Sequence, residues 1–384
     1  MYWQSVEERI KGRRIMRITL EKTTLFDGVQ RVQNVVDKKN TIPVLSNILF
    51  ETEVETNQLQ LTATNLEVGI STKLPVSEAT EGSITIPAQK LFEILRELPE
   101  AVMSLTVDAT NWITLECANA NFRLAGLSKT DFPELPVFSS QNVMIFQQPL
   151  IKDMITKTSF AVSHDESRYA LTGILFSVNP QILSMVATDG HRLAVIQKPH
   201  KLEFGDTQIE AIIPLKAITE VRKLCDTDES ISINLSESQI AFRRDDTVLV
   251  SRLIDAQFPD YNQVLPAESR FRVALDKEHL NRAIRRVSLL CGDSRLIKFN
   301  VTAKELHLSS NDPNLGEAKE SIPIEYEGEE LAIGFNARYI LDFLSVANGE
   351  VVQLALNDPL SPGLFTSDAE EDAGFSCVIM PMRV

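Results

Sequence analysis

The sequence lacks the patterns on which many enzymes and membrane proteins depend. Its 384 residues include only four cysteines and five histidines, scattered without a CxxC pair or a metal-ligand spacing. No HExxH, GxSxG or P-loop motif occurs, which leaves out the sequence signatures of zinc proteases, serine hydrolases and P-loop nucleotide hydrolases. We therefore expect no catalytic residues, no metal and no cofactor. We expect the four cysteines to be reduced thiols packed as small apolar groups.

Long apolar runs and excess positive charge are also missing. No run approaches the roughly 18 residues of a membrane-spanning helix. Residues 1–15 are charged and lack the apolar core of a secretory signal, so we expect a cytoplasmic protein without membrane contact. The net charge is −15, which does not attract nucleic acid by general electrostatics, so a nucleic-acid role would have to be local or topological. We interpret residues 1–15 as an extension outside the fold, with a functional basic arm as the alternative.

One structural unit occurs three times along the chain. A strand-like run leads into an amphipathic helix at "MRITLEKTTLFDGV", "VMIFQQPLIKDMI" and "RFRVALDKEHLNRAI". A strand then ends in a polar corner at "LQLTATNLEV", "LSMVATDGHRL" and "LHLSSNDPNL", so that Thr64, Thr188 and Asn311 correspond. A second strand and helix follow at "ITIPAQKLFEI", "AIIPLKAITEV" and "AIGFNARYIL", where Pro87 and Pro214 suit a first helical turn and Asn336 suits an N-cap.

The three comparisons agree on a period of about 125 residues, too long for a solenoid repeat. We therefore predict an α+β protein of three tandem domains with the same fold, each with two helices and several short antiparallel strands. The predicted domains are residues 16–138, 143–266 and 267–384, and "DFPELPVF" and "QFPDYNQVLP" are the linkers between them. The predicted helices are 24–38, 88–98, 150–162, 215–225, 276–288 and 336–347.

These helices are neutral or basic although the chain is acidic. One interpretation is chance, because the charge on each helix is small. The other is that helices from all copies share a surface that faces an anionic partner. The cations of that surface would be Lys152, Lys157, Lys216, Arg222, Lys223, Arg282, Arg285 and Arg286.

Two short segments could carry function beyond the repeat. The segment "ATDGHRLAV" is the polar corner of the second copy, and only this copy has Gly190, His191 and Arg192 there. Catalysis by Asp189 and His191 would need a nucleophile or metal as well, so we favour a recognition or structural role. The C-terminal "VIMPMRV" is either a final core strand or a partly exposed methionine-rich groove, since flexible methionines suit surfaces that accept several partners.

Over residues 16–384 the chain resembles the bacterial DNA polymerase III beta subunits, the beta sliding clamps. The matching stretches are "TIPVLSNILF", "RYALTGILF", "VATDGHRLAV", "FPDYNQVLP", "IGFNARYILDFL" and "VIMPMRV". The resemblance implies three DNA-clamp domains per chain and a head-to-tail homodimer that closes as a ring around duplex DNA without reading its sequence. It implies no catalysis. The implied partners are a clamp loader, the replicative DNA polymerase and other proteins that carry a clamp-binding peptide.

The resemblance also implies three sets of site residues. The peptide-binding pocket would comprise Leu171, Thr188, Gly190, His191, Arg192, Leu193, Pro259, Val264, Tyr339, Val378, Ile379, Met380, Pro381, Met382 and Arg383. Lys39, Arg168 and Tyr169 would join the helix cations in facing DNA. The dimer interface would comprise Lys90, Ile94, Phe122 and Leu124 on one side and Leu289, Leu290, Glu317 and Glu320 on the other.

The sequence departs from the family pattern at Ala170 beside the DNA-facing set, at Gln263 on the pocket rim, and at Asn119 and Asn121 in the interface. An enzyme that uses Asp189 and His191, or a multidomain binding protein unrelated to DNA, remains the alternative class. The oligomeric shape would separate these classes from a clamp.

Overall fold

The structure is a computed structural model that describes residues 16–37, 41–136, 143–200, 208–266 and 268–383. Within these ranges the chain forms six α-helices and 25 strands, and every strand pairing is antiparallel. The predicted α+β class is confirmed. The chain divides into two compact units. Unit 1 contains the described residues up to Pro149 together with Thr219–Arg252, and unit 2 contains Leu150–Ile218 together with the described residues from Leu253 onward.

The first repeat has two helices and nine strands. Its elements are β1 (Met16–Glu21), α1 (Lys22–Val32), β2 (Asn47–Glu53), β3 (Gln58–Thr64), β4 (Val68–Pro75), β5 (Glu78–Ala79), β6 (Ser83–Pro87), α2 (Ala88–Glu97), β7 (Val102–Val107), β8 (Trp112–Cys117) and β9 (Ala120–Ala125). Residues of β1 alternate between buried and more exposed positions, because successive side chains of a strand point to opposite faces of the sheet.

The second and third repeats follow the same order with eight strands each. The second contains β10 (Val143–Gln147), α3 (Gln148–Ser159), β11 (Gly173–Val178), β12 (Ile182–Thr188), β13 (Arg192–Pro199), β14 (Ile209–Pro214), α4 (Leu215–Leu224), β15 (Ser230–Leu235), β16 (Gln239–Arg244) and β17 (Thr247–Arg252). The third contains β18 (Phe271–Asp276), α5 (Lys277–Val287), β19 (Leu296–Val301), β20 (Glu305–Asp312), β21 (Gly316–Pro323), β22 (Leu331–Asn336), α6 (Ala337–Val346), β23 (Val351–Leu356), β24 (Gly363–Ser367) and β25 (Phe375–Ile379).

Each unit is built around one eight-stranded sheet that draws strands from two successive repeats. In unit 1 the order is β10-β15-β16-β17-β4-β3-β2-β6, beside a five-stranded sheet β5-β1-β7-β8-β9. In unit 2 the order is β14-β11-β12-β13-β25-β24-β23-β18, beside a four-stranded sheet β21-β20-β19-β22. The repeats are therefore joined by pairing β4 with β17 and β13 with β25, so that Gly69 faces Val250 and Leu193 faces Val378.

All six predicted helices are present, with changes at their ends. Helix α1 begins two residues earlier than predicted and ends at Val32, where a 3₁₀ turn at Gln33–Val35 replaces the predicted continuation. The N-cap of α6 is Asn336, as predicted, and its side chain accepts a hydrogen bond from the Arg338 amide at 3.0 Å. The prediction for the two prolines was wrong by one position, because Pro87 and Pro214 end strands and the helices begin at the next residue.

The interior is apolar and includes all four cysteines, which are buried and unpaired, as predicted. Burial raises the pKa of the Cys377 thiol to about 12. Among the described residues, no helix combines the length and the hydropathy needed to cross a membrane.

Candidate functional site

The turn at Thr188–Arg192 is held by its own polar side chains. The Thr188 hydroxyl donates to the Arg192 carbonyl at 2.6 Å, and the Asp189 carboxylate accepts the amides of His191 at 2.9 Å and Arg192 at 3.0 Å. Gly190 has a φ of +84°, a conformation that favours glycine, and a Cβ there would lie 2.8 Å from the Arg168 guanidinium. The Asp189 carboxylate is thus engaged by the backbone of the turn.

Side-chain contacts to the turn amides recur at the equivalent corners of the other repeats. The Thr64 hydroxyl donates to the Val68 carbonyl at 2.9 Å. The Asn65 side-chain oxygen accepts the amides of Glu67 at 3.2 Å and Val68 at 2.9 Å. In the third repeat Asp312 accepts the Asn314 and Leu315 amides at 2.8 and 3.1 Å. The correspondence of Thr64 and Thr188 is confirmed. The third corner shares the side-chain contacts to the turn amides but differs otherwise, because Asn311 has no hydroxyl to donate and the positive φ falls at Gly316.

Arg192 is buried at the centre of this region, with 7% of its side chain exposed. Its guanidinium donates to Asp189 at 3.1 Å, to Asp342 of α6 at 2.6 Å, and to the Phe160 carbonyl. The same group stacks on the Tyr339 ring, 4.4 Å from its centroid. All of these contacts lie within the chain, so Arg192 joins the turn to α6.

The C-terminal segment is fastened to the same turn. The Met380 amide donates to the His191 carbonyl at 2.9 Å, and the Met382 amide donates to the Gly334 carbonyl of β22 at 2.8 Å. Val378 is buried at the end of β25, whereas the Met380 side chain is 39% exposed. Both interpretations of "VIMPMRV" therefore apply, the core strand to its first part and the partly exposed methionines Met380 and Met382 to its end. We call the turn Thr188–Leu193, Tyr339 and residues 380–383 the tail site.

An apolar cluster lies beneath the tail site. Leu193 and Val378 belong to it, and both are almost fully buried. Partly buried residues pack on this cluster, namely Ala170, Phe258, Tyr261, Leu265 and Leu364. The sequence analysis missed four of these, although Phe258, Tyr261 and Leu265 lie in the linker "QFPDYNQVLP", whose spaced apolar residues were the available signal.

The remaining predicted pocket residues differ in exposure. Leu171, Pro381 and Met382 are half-buried, and Pro259, Val264, His191 and Arg383 are exposed. Tyr339 is half-buried, and its pKa is raised, chiefly by burial and then by the Asp189 charge. Ile379 is fully buried and can act only by supporting the tail.

Lys157 was wrongly predicted to face DNA. Only 1% of its side chain is exposed, and its ammonium group contacts Asp372 at 2.7 Å and Asp153 at 2.8 Å. It also donates to the Glu371 carbonyl at 3.1 Å. A helical lysine within a basic stretch was taken for a surface residue, because a distant partner in the third repeat cannot be seen in a local pattern.

The other predicted DNA-facing residues lie nearer the surface, and several are paired within their own unit. In unit 2, Arg168 pairs with Asp165, Arg282 with Glu278 and Arg286 with Glu320. In unit 1, Lys223 pairs with Glu220. Lys152, Arg222 and Arg285 are exposed, Lys216 is half-buried, and Tyr169 is 57% exposed. Lys39 lies outside the described residues.

The predicted interface residues occupy two sheet edges. Phe122 and Leu124 lie on β9, the edge strand of the five-stranded sheet, and the Phe122 side chain is 36% exposed. Glu317 and Glu320 lie on β21, the edge of the four-stranded sheet. Lys90 is exposed and pairs with Glu93, and Ile94 is half-buried on α2.

Leu289 and Leu290 lie in a 3₁₀ turn after α5, where Leu289 is 76% exposed. The hydrogen bond from Arg286 at 2.9 Å holds the pKa of Glu320 below its ordinary value. The described residues contain no group of three side chains suited to bind a metal ion.

Three domain models of the DNA polymerase III beta subunit match the chain. The N-terminal domain matches residues 16–136, the central domain residues 146–260 and the C-terminal domain residues 262–383. The beta sliding clamp of Pseudomonas putida is 35% identical over 373 residues, covering 96% of this chain and 100% of the relative. The beta sliding clamp of Chlamydia trachomatis is also 35% identical, covering 97% of this chain and 88% of the relative.

Solved structures agree with these matches. The sliding clamp of Pseudomonas aeruginosa, bound to griselimycin, superposes with a TM-score of 0.90 at 33% identity over 96% of this chain and 100% of that chain. The beta subunit of Thermotoga maritima superposes with a TM-score of 0.89 at 26% identity over the same shares of the two chains. The repeated fold is thus that of the sliding clamps, with three tandem clamp domains. The chain belongs to the DNA polymerase III beta subunit family.

Proposed function

We propose that the chain is the processivity clamp of a replicative DNA polymerase and encircles duplex DNA as a homodimeric ring. The family assignment supports this, as does the threefold repeat, because two chains would supply six similar domains. The proposed role is non-catalytic and cytoplasmic. A clamp loader would open the ring, and no step of the role requires a metal or a cofactor.

The proposed dimer joins β9 of one chain to β21 of its partner, head to tail. Both strands are sheet edges, which present unpaired backbone groups, and each has apolar residues on it or nearby. A contact between two different surfaces closes into a ring when its rotation allows. Because Arg286 already pairs with Glu320 within the chain, we propose that apolar contact by Phe122 and Leu289 contributes more to the seam than ion pairs do.

Contact with DNA would be weak and independent of sequence. The exposed cations Lys152, Arg222 and Arg285 can meet phosphates, while the pairing of other cations reduces the attraction. The net charge of −15 would oppose binding of DNA to the outer surface. Retention on DNA would then depend on encirclement.

We further propose that the tail site binds short peptides of the polymerase, the loader and other partners. The observation that carries this proposal is the hydrogen bond from the Met380 amide to the His191 carbonyl, which brings the exposed Met380 and the half-buried Met382 beside the second-repeat turn. Beneath them lies an apolar cluster that could accept a leucine or phenylalanine side chain, each worth roughly 1.5–3 kcal/mol on burial.

The test is a titration of a fluorescent peptide that contains leucine and phenylalanine. Met382→Ala should weaken binding by about 1–2 kcal/mol, the loss of one anchoring apolar contact, and His191→Asn should weaken it less. Val102→Ala is the matched control, because Val102 is an apolar residue that is 54% exposed and belongs to unit 1, whereas the tail site lies in unit 2. Deletion of residues 380–384 should abolish binding and leave the fold intact, since β25 ends at Ile379. Undiminished binding by the deletion variant would place the site elsewhere.

A further inference from the structure

The corner of the first repeat matches the tail site position by position. Counting from the equivalent residues Thr64 and Thr188, Gly69 stands where the second repeat has Leu193. Both residues pair with the last strand of the following repeat, Gly69 with Val250 and Leu193 with Val378. The two corners therefore share a backbone frame and differ in the side chain at this position.

The space beside Gly69 is filled by the linker that follows the first repeat. A Cβ at Gly69 would lie 2.3 Å from one methyl carbon of Leu135 and 2.9 Å from the other. The Leu135 side chain thus lies where a residue-69 side chain would begin. In the second repeat the chain itself supplies a side chain there, since Leu193 is only 3% exposed.

The rest of this linker is attached as a bound peptide would be. Phe132 is 7% exposed and packs in a cluster with Val44, Leu45 and Leu49. Two residues before the linker, Lys129 forms an ion pair with Glu51 of β2. Phe132 and Leu135 are therefore two apolar anchors three residues apart, with a charged contact in front of them.

A cavity of about 510 Å³ lies alongside these anchors. Its wall includes Gln60, Thr62, Ser71 and Arg243 besides the linker, so it offers hydrogen-bonding groups to an extended backbone as well as apolar surface. We call this cavity, with the positions of Phe132 and Leu135, the linker groove.

We propose that the linker groove is a second peptide-binding groove whose anchor position is occupied by the chain's own Leu135. Its ligand class is an extended peptide with an aromatic residue and a leucine three residues later, as in the linker sequence "DFPELP". The occupied anchor keeps the groove closed to other peptides. The inference rests on the first corner alone, and it stands whether or not the tail site binds peptide.

The test uses the full chain and a fluorescent synthetic peptide of sequence DFPELP. Leu135→Ala should empty the leucine anchor position while Phe132 stays in place, and it should lower the apparent Kd for this peptide by more than about tenfold relative to the parent, because the leucine of the peptide can then enter the emptied space. Adding Gly69→Leu to Leu135→Ala fills the same space from the strand and should return the affinity to that of the parent. Any binding at the tail site is common to all three proteins and cancels in the comparison.

Thermal unfolding gives a second readout. Gly69→Leu alone should lower Tm, because its side chain collides with Leu135, whereas the double variant should recover most of that loss. A Leu135→Ala chain that folds poorly should also be rescued by Gly69→Leu. The inference is overturned if Leu135→Ala binds the peptide no better than the parent, or if the double variant keeps the added binding. It is also overturned if Gly69→Leu lowers Tm by no more in the parent than it does in the Leu135→Ala chain.

Discussion

Arg192 lends itself to a quantitative test, because one side chain joins three parts of unit 2. Its guanidinium bonds to Asp189 in the turn, to Asp342 in α6 and to the carbonyl of Phe160 after α3. Arg192→Met removes the charge and the three donors, while a flexible thioether of similar length can still pack against Tyr339. The substitution therefore isolates the polar contribution.

The expected loss follows from the burial of the partners. Removing one member of a buried ion pair costs about 3–5 kcal/mol, because the other is left uncompensated. Asp189 and Asp342 keep 14% and 29% of their side chains exposed, so water can reach both carboxylates after the substitution. We therefore expect the lower end of the range, about 3 kcal/mol, which corresponds to a fall in Tm of roughly 6–12 °C for a cooperative unit of 150–250 residues.

Calorimetry of Arg192→Met and Arg338→Met measures this loss against a matched control. Arg338 approaches the same Asp342 at 3.9 Å but is 60% exposed, and such surface pairs contribute about 0–1 kcal/mol. The loss of stability for Arg192→Lys should lie between those of the other two variants, since one ammonium group cannot reproduce the planar arrangement of guanidinium donors. A loss below about 1 kcal/mol for Arg192→Met, or an equal loss for Arg338→Met, would refute the reasoning.

Three further outcomes follow from the described contacts. Burial alone would raise the pKa of Asp372, but the hydrogen bonds from Lys157 and the Asn348 amide outweigh it and hold that pKa below its ordinary value. The pair of Asp372 and Lys157 thus contributes its full stability above the unfolded-state pKa of Asp372, near 4, and this stability is lost as the pH falls through the lower folded-state pKa. Asp372→Asn should therefore lower the free energy of unfolding by about 3 kcal/mol at pH 7 and by progressively less in acid. The double substitution Leu289→Asp and Leu290→Asp should convert the proposed dimer to monomers in sedimentation, because charge would be buried at the seam. The loaded protein should remain on circular DNA through gel filtration and be lost when the plasmid is cut.

Each of these outcomes has a contrary result. A constant cost of Asp372→Asn from pH 7 to pH 3 would show that the charge of Asp372 is not what stabilises the pair. Leu360→Asp is the seam control, since Leu360 is 80% exposed and lies between β23 and β24 of the eight-stranded sheet, outside the proposed seam, and an intact dimer in the Leu289 and Leu290 variant would reject the seam. Equal retention on linear and circular DNA would indicate ordinary contact binding.

Local patterns in the sequence were enough to predict the repeated elements. Alternation in β1 and the N-cap at Asn336 are decided by neighbours within a few residues, so they can be read directly from the chain. The correspondence of Thr64 and Thr188 was predictable for the same reason, because each side chain bonds to the carbonyl four residues later. The family resemblance added residue roles that no local pattern carries.

Contacts between distant segments could not be predicted. Lys157 and Asp372 are more than two hundred positions apart, and nothing near Lys157 distinguishes it from a surface lysine. The arrangement around Arg192 is similar, since its partner Asp342 belongs to the next repeat. Charge patterns in a sequence indicate which residues can form ion pairs, but the pairing of strands across repeats determines which residues become their partners.

The turn of the second repeat differs from that of the first in how it is supported. Leu66 adopts a φ of +77° in the first repeat, a conformation that costs a residue with a side chain roughly 1–2 kcal/mol. Gly190 adopts the same conformation without that cost, and the Arg168 guanidinium occupies the space that a Cβ would take. Arg168 in turn donates to the Asp189 carbonyl, so the glycine allows the second turn to be supported from outside. Because that support and Arg192 hold the turn from two sides, its His191 carbonyl is available at a fixed position for the tail. In the first repeat the Asn65 side chain donates to the Asp37 carboxylate at 3.3 Å, and the linker residue Leu135 covers the strand beside Gly69.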